Sequence, residues 1–422
     1  MSSLLMQVLL WSSLLLISYA YVGYPLLLWL LTRGRQTQPD KTIESNSRPL
    51  PRVSIIIAAY KEEAVILERL NNLAKLDYPI DQLEVLIGCD GNEDLTGELV
   101  RTYDNEQIRL IQFEQRRGKA SVLNDCVPKA TGEIIVFSDA NTNMEPQCIK
   151  QLVRHFQDES VGCVCGQLIL EDPATGKNVD GLYWKYENFL KHCETKIGAV
   201  LGVNGALYAL RKSLYVPIPP DTIIDDFLIG MQVHFTGQRL IYDDTALARE
   251  ETATSVQAEF KRRIRIGTGA FQSLKYLKGL LNPRFGSIAF AFWSHKLLRW
   301  LCPAFMVLAL VTNLCLLQNP IYQITLLAQG LFYLSAFVSI KFVKVNRIFK
   351  LCRVPGMFVQ MNLALAIGFF RWLFVKQTGT WDRTERSQTG TLPIDEQELT
   401  IPDLAPRNSE TPETEFSQTS KS

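Results

Sequence analysis

Six short clusters in this chain combine the residue types that handle phosphate groups and protons. Ser138-Asp139-Ala140-Asn141 sets a carboxylate and an amide two residues apart, directly after the apolar run 134–137. Two oxygen donors so placed could hold a hard cation that in turn holds phosphates. Tyr60-Lys61-Glu62-Glu63 and Asp90-Gly91-Asn92-Glu93-Asp94 follow two further apolar runs. Arg116-Arg117-Gly118-Lys119 is a basic turn, Asp225-Asp226 opens a helical pattern, and Lys261-Arg262-Arg263-Ile264-Arg265 concentrates positive charge. Each has an ordinary explanation as well. Asp139 could cap a helix. The acid pair at 225–226 could be a helix N-terminus favoured by the macrodipole, worth about 0.3–1 kcal/mol. The stripe at 261–265 could touch anionic lipid. Three apolar runs in succession that end in acids or amides are harder to dismiss as turns, and they point to a nucleotide site.

The elements that must position these residues follow from the apolar pattern. Residues 53–59, 83–89, 108–113 and 133–138 are short, apolar and rich in β-branched side chains, the signature of strands buried on both faces of a parallel sheet. Helical spacing of Leu and Ile between them, as in 64–76, implies an α/β fold with a mostly parallel sheet and right-handed crossovers. In such sheets ligands bind beyond the carboxyl ends of the strands, where the polar clusters fall. Residues 161–170 read as a further strand and 180–197 as an amphipathic helix. Its aromatics Tyr183, Trp184, Tyr186 and Phe189 fit a core better than a sugar platform. Val203-Asn204-Gly205-Ala206-Leu207-Tyr208 is a small-residue turn leading into a strand.

The ends of the chain are a different material. Residues 4–31 carry no charge and exceed the ~20 apolar residues that span a bilayer. No Lys or Arg precedes them, which argues against a signal peptide. Residues 297–317 and 322–340 are two more spans. Basic residues follow the first span (Arg33, Arg35, Lys41, Arg48, Arg52) and the third (Lys341, Lys344, Arg347, Lys350, Arg353), so the positive-inside rule puts the middle of the chain in the cytosol. The stretch 357–375 contains Gln360, Asn362 and Arg371, and an Arg deep in a membrane helix costs roughly 2.5–3.5 kcal/mol. An interfacial helix is therefore preferred there, with a full span as the alternative. The tail beyond 376, rich in Thr, Ser, Glu and Pro, is expected to be disordered. The divisions are thus 1–32 membrane helix, 33–52 linker, 53–272 cytosolic domain, 273–296 interface segment, 297–340 two membrane helices, 341–375 basic loop and helix, and 376–422 tail. A net charge of +1 offers no electrostatic case for a nucleic-acid partner. Nine scattered cysteines and four histidines form neither a disulfide framework nor a zinc pattern.

Val53-Ser54-Ile55-Ile56-Ile57-Ala58-Ala59-Tyr60, Cys89-Asp90-Gly91, Gly118-Lys119-Ala120, Ser138-Asp139-Ala140-Asn141, Asn204-Gly205-Ala206 and Asp225-Asp226 occur in one order. That order resembles the membrane-anchored family-2 glycosyltransferases, inverting enzymes of GT-A fold related to cellulose, chitin, hyaluronan and poly-N-acetylglucosamine synthases. The resemblance covers about 53–269. It implies transfer of a hexose or N-acetylhexosamine from a nucleotide-diphosphate sugar, UDP-linked, to a lipid-linked or polysaccharide acceptor. It also implies a divalent cation, Mg²⁺ or Mn²⁺, and a multi-pass protein of the plasma (inner) membrane in contact with its lipids. On matching positions, Ala59, Tyr60 and Glu62 would edge the uridine pocket and Asp90 would bind uracil or ribose. Lys119 would stand near the phosphates, Asp139 and Asn141 would hold the metal, and Asn204 and Gly205 would lie on the acceptor side. Asp226 would be the general base, with Asp225 its close competitor, and Arg265 would neutralise the diphosphate.

Two departures from the family pattern weaken parts of this. Asn141 stands where the second Asp of Asp-x-Asp is usual, which removes one charge from the metal site. Ile266 replaces the aromatic of Gln-x-x-Arg-Trp, which removes a usual resting surface for an acceptor sugar. Two rival classes are an inactive membrane-tethered nucleotide- or lipid-binding protein, and a channel or transporter. Retention of Asp226 and Arg265 argues against the first. About three spans around one large polar domain leave little to line a pore.

Overall fold

The computed structural model describes residues 3–35, 49–172, 178, 181–251, 256–341 and 353–380. Most of the linker, the basic loop 342–352 and the tail from 381 lie outside these. The apolar runs form β1 (Val53–Ala59), β2 (Leu83–Asp90), β3 (Ile108–Phe113) and β4 (Ile134–Asp139). With β5 (Asn143–Met144), β6 (Val161–Glu171), β7 (Tyr208–Arg211) and β8 (Arg239–Glu251) they make one sheet in the order β3-β2-β1-β4-β7-β6-β8-β5. β1 lies between β2 and β4, parallel to both, so Ala59, Cys89 and Asp139 end near one edge. β7 runs antiparallel to β4 and β6, and β8 is parallel to β6. β8 was not anticipated, because its alternation is broken by Asp243, Asp244, Arg249 and Glu250. Asp243 is buried there in ion pairs with His155 (2.7 Å) and Arg154 (2.9 Å), and against the opposing effect of burial the hydrogen bonds from His155 and Thr245 hold its carboxyl down at about 2.

The helices are α1 (Ser3–Thr32), α2 (Ile66–Leu73), α3 (Thr96–Thr102), α4 (Lys119–Cys126), α5 (Cys148–Val153), α6 (Leu182–Lys196), α7 (Asp225–Gln232), α8 (Val256–Leu277), α9 (Ser287–Leu314), α10 (Pro320–Lys341) and α11 (Arg353–Phe374). Alternate strand residues feed two cores. Ile56, Leu86, Ile135 and Phe137 pack with Leu123 of α4 on one face. Ile55, Ile57, Val85 and Val136 pack with Ile66 and Leu70 of α2 on the other.

Four helices, α1, α9, α10 and α11, are long and apolar enough to cross a membrane. At about 1.5 Å per residue the 22 residues of α11 reach roughly the 30 Å of a hydrocarbon core. Its Asn362 is buried and donates to Tyr21 Oη of α1 at 3.3 Å, so this polar group faces protein rather than lipid. α11 also braces the soluble domain. A Cβ on Gly368 would come within 2.8 Å of Thr268 N, so the backbones of α11 and α8 touch, and Phe271 meets Phe369 edge-on at 5.0 Å. A buried ionic cluster ties α6 to the membrane helices. Glu194 accepts from Tyr24 Oη (2.9 Å) and pairs with His295 Nδ1 (2.5 Å), and Glu187 pairs with Arg299 (2.6 Å). Burial alone would raise the Glu187 carboxyl, but Arg299 and His295 hold it well below the ordinary range.

Candidate active site

One cavity of about 320 Å³ opens where β1, β2 and β4 end, and every candidate residue from the sequence lines it. Ala59, Tyr60 and Glu62 form one edge beside Asp90. Asp90 is buried, and its two oxygens accept the Arg117 and Gly118 N–H groups, each at 2.7 Å. It therefore shapes the basic turn, whose Gly118 has φ +91°, a conformation that favours glycine. The turn delivers Lys119 as the first residue of α4. Its Nζ lies 2.6 Å from Asp139 Oδ1 and 3.5 Å from Asp225 Oδ2. Burial disfavours the Lys119 ammonium, but Asp139 and Asp225 outweigh it and raise its pKa.

Asp139 and Asn141 sit at the end of β4, which is held from below by Arg69 of α2. That guanidinium is wholly buried and donates to Ser138 Oγ at 2.9 Å. Asp226, at the start of α7, accepts the Phe227 N–H through Oδ1 at 2.8 Å. Burial first, and then the neighbouring Asp225, push its carboxyl from 3.8 up to about 6, against the pull of Lys119. Gly205 faces it: a Cβ there would stand 3.1 Å from Asp226 Oδ2, so a side chain at 205 would crowd the carboxylate. The side chain of Asn204 is largely committed, accepting from Lys191 Nζ at 2.5 Å and donating to the Gly166 carbonyl at 2.8 Å. Arg265 and Ile266 enter from α8, the helix that α11 supports.

Several lining residues were given no place in the site by the sequence reading. Arg116 places its guanidinium 3.9 Å over the Tyr60 ring, a cation–π pair at the nucleotide edge. Glu250 arrives on the unanticipated β8 and accepts from Thr142 Oγ1 at 2.5 Å. Trp184, expected in the core, does pack against it, and it also lines the cavity. The tail expectation also needs revising at its start. Residues 376–380 have no regular secondary structure, yet Gly379 and Thr380 line the cavity. Gly379 O lies 2.6 Å from where a Cβ on Gly118 would be, and a Cβ on Gly379 would in turn strike the Pro220 carbonyl, so both positions demand glycine. Polar composition marks a segment with little to bury, but backbone packed on backbone needs no apolar side chain.

A parallel half-sheet ending in this cavity, continued by antiparallel strands and followed by candidate membrane helices, is the GT-A architecture. Residues 54–215 match the family model described as glycosyl transferase family 2. It is 25% identical over 250 residues to the poly-beta-1,6-N-acetyl-D-glucosamine synthase of Staphylococcus aureus (strain COL), covering 58% of this chain and 60% of that one. To the synthase of the same name from Staphylococcus epidermidis it is 23% identical over 239 residues, covering 55% and 58%. The chain thus spans about 60% of the length of these relatives. Among solved structures, a mannosyltransferase from Pyrobaculum calidifontis in complex with GDP-Man and Mn²⁺ superposes with a TM-score of 0.65 at 24% identity. It covers 87% of this chain and 100% of that one.

Proposed function

We propose that this chain is an inverting transferase that moves a sugar from a nucleoside-diphosphate donor to a lipid-linked or polysaccharide acceptor at a membrane. The observation that carries this is the convergence of a carboxylate of raised pKa, Asp226, with Lys119 and Arg265 in one cavity. Inversion requires an acceptor hydroxyl to attack the anomeric carbon opposite the departing diphosphate. Asp226 takes the proton of that hydroxyl as the bond forms. Lys119 and Arg265 supply positive charge on the leaving side, and Tyr60 with Arg116 offers a flat cationic edge for the base. UDP is the favoured nucleotide and an N-acetylhexosamine the favoured sugar, in keeping with the synthases this chain is similar to.

A divalent cation, Mg²⁺ or Mn²⁺, fits the donor set. Asp139 and Asn141 offer two oxygens side by side, and among the described residues no three or more His, Cys, Asp or Glu gather into an all-protein cage. That is the arrangement for a cation completed by phosphate oxygens and water. Such an ion would offset the charge that develops on the leaving diphosphate. The chain's own part is to present Asp139 and to keep Lys119 within reach.

The basic residues flanking the spans favour a multi-pass protein of the plasma (inner) membrane with the cavity facing the cytosol, and α11 is favoured as a helix along the cytoplasmic surface, since it follows the basic loop on that side and Gly379 and Thr380, just past its end, line the same cavity. Incubating the purified full chain with UDP-N-acetylglucosamine, UDP-glucose and GDP-mannose, and measuring released nucleoside diphosphate, tests the activity. Release from one donor, lost in Asp226→Asn, is expected. No release from any donor, with acceptor lipid present, would overturn it.

A further inference from the structure

Lys119 stands where the chemistry of the site leads one to expect a conflict. It is the first residue of a helix, a place where the macrodipole disfavours a cation, so helix stability does not explain it. Its side chain is largely buried, and its ammonium lies against Asp139 and Asp225. Asp139 is also the one carboxylate that the Asp-Ala-Asn turn offers to a divalent cation, because Asn141 brings no charge.

We propose that Lys119 is the resident counter-ion of the cation site: it holds Asp139 while nucleotide is absent and transfers to the donor diphosphate, so that the protein takes up a divalent cation only together with a nucleoside diphosphate. The proposal rests on the transferase reading above.

The charges explain why neither partner suffices alone. A dication arriving by itself would repel a largely buried ammonium that has lost its shortest ion pair, to Asp139, and keeps Asp225 at 3.5 Å with Asp226 beyond. Losing one partner of a buried ion pair is strongly unfavourable. A diphosphate arriving by itself would meet Arg265, but would also bring its negative charge against Asp139, Asp225 and Asp226 while Lys119 stays engaged by the first two of them. When both arrive, Asp139 exchanges the ammonium for the cation and Lys119 exchanges Asp139 for phosphate oxygens, and every charge stays paired. Lysine suits this exchange, being a compact charge on a flexible stem, where the fork of arginine would be tied to one geometry. The turn is built to keep Lys119 in place, because Asp90 fixes the two preceding N–H groups.

The test is direct binding by the detergent-solubilised full chain, with Mn²⁺ as the probe. Uptake of Mn²⁺ alone is followed by loss of the free-ion paramagnetic resonance signal, and UDP or GDP binding by calorimetry with and without Mn²⁺. Wild type should take up Mn²⁺ alone only weakly, while Mn²⁺ tightens nucleotide binding within the roughly 5–150-fold range usual for coupled sites. Lys119→Met should bind Mn²⁺ alone at least about tenfold more tightly, with the coupling to nucleotide reduced, while Lys119→Arg, which keeps the charge but not the flexible stem, should still bind Mn²⁺ alone weakly and couple it less to nucleotide. Equal Mn²⁺ affinity in wild type and Lys119→Met overturns the proposal and makes the pair a static bridge. If Lys119→Met does not fold, wild type decides: Mn²⁺ held as tightly alone as with nucleotide overturns the proposal equally. Nucleotide that binds wild type with no response to Mn²⁺ removes the cation reading itself, and the proposal with it. A wild type that binds no nucleotide sinks the transferase reading instead.

Discussion

Replacing Asp226 by Asn should abolish transfer and, at the same time, stabilise the protein. In the folded chain burial and Asp225 lift the Asp226 carboxyl from 3.8 to about 6. A carboxyl whose folded pKa exceeds its unfolded value binds more protons folded than unfolded between those two values. Stability therefore falls as pH rises from about 4 to about 6, and the whole penalty is present above that. At about 1.4 kcal/mol per pH unit the ionised carboxylate costs the folded state about 3 kcal/mol at neutral pH. Asn keeps the shape and can still accept the Phe227 N–H bond, but carries no charge. Thermal unfolding in detergent at pH 7.5 should thus give a higher Tm for Asp226→Asn than for wild type. At pH 4.5, where Asp226 is mostly protonated in the folded chain, the gain should shrink to about a third. Turnover should fall by about 10²–10⁴-fold, the usual contribution of a general base, with nucleotide binding retained. The wild-type rate should rise with pH through about 6 and then level off. A variant that is inactive but no more stable than wild type at pH 7.5 would refute the account of Asp226 as a carboxylate strained by its surroundings. Near-normal turnover in it, with Asp225→Asn inactive, would move the base one residue back.

Gly205→Ala places a methyl 3.1 Å from Asp226 Oδ2 and should cut kcat roughly tenfold at unchanged Tm, since displacements near 1 Å cost about 10²-fold; an unaltered kcat would show that the carboxylate has room to spare. Gly368→Leu should force α11 from α8, destabilise the protein by about 1–3 kcal/mol and raise the donor KM through Arg265, read by thermal unfolding and donor titration. Cys315 is the one exposed thiol among the described residues, just past α9 on the side assigned to the exterior. An impermeant maleimide should label intact cells at Cys315 and not in Cys315→Ser, and labelling seen only after lysis would reverse the topology.

Much of the fold could be read from local pattern. β1 to β4 are continuous apolar β-branched runs, and strands buried on both faces need nothing else to declare themselves. The family order of Asp90, Gly118-Lys119, Asp139 and Asp225-Asp226 marked positions that the structure gathers around one cavity, because strands of a parallel sheet all end on the same edge. What the sequence alone did not reveal depends on contacts between distant segments. β8 carries buried charge that is tolerable only once His155 and Arg154 meet Asp243. Arg69 beneath Ser138 looks like any surface cation of an amphipathic helix until the end of β4 closes over it. Trp184 reads as core on periodicity and packs there, but that it also lines the cavity shows only in the tertiary structure. Gly379 and Thr380 lie in a polar stretch with nothing to bury, yet the backbone at Gly379 docks against Gly118. The pairing of Lys119 with Asp139, twenty residues apart, is of the same kind. Residue type and period determine which segments become strands and helices; which charge lies beside which is set by chain crossings that local pattern does not encode.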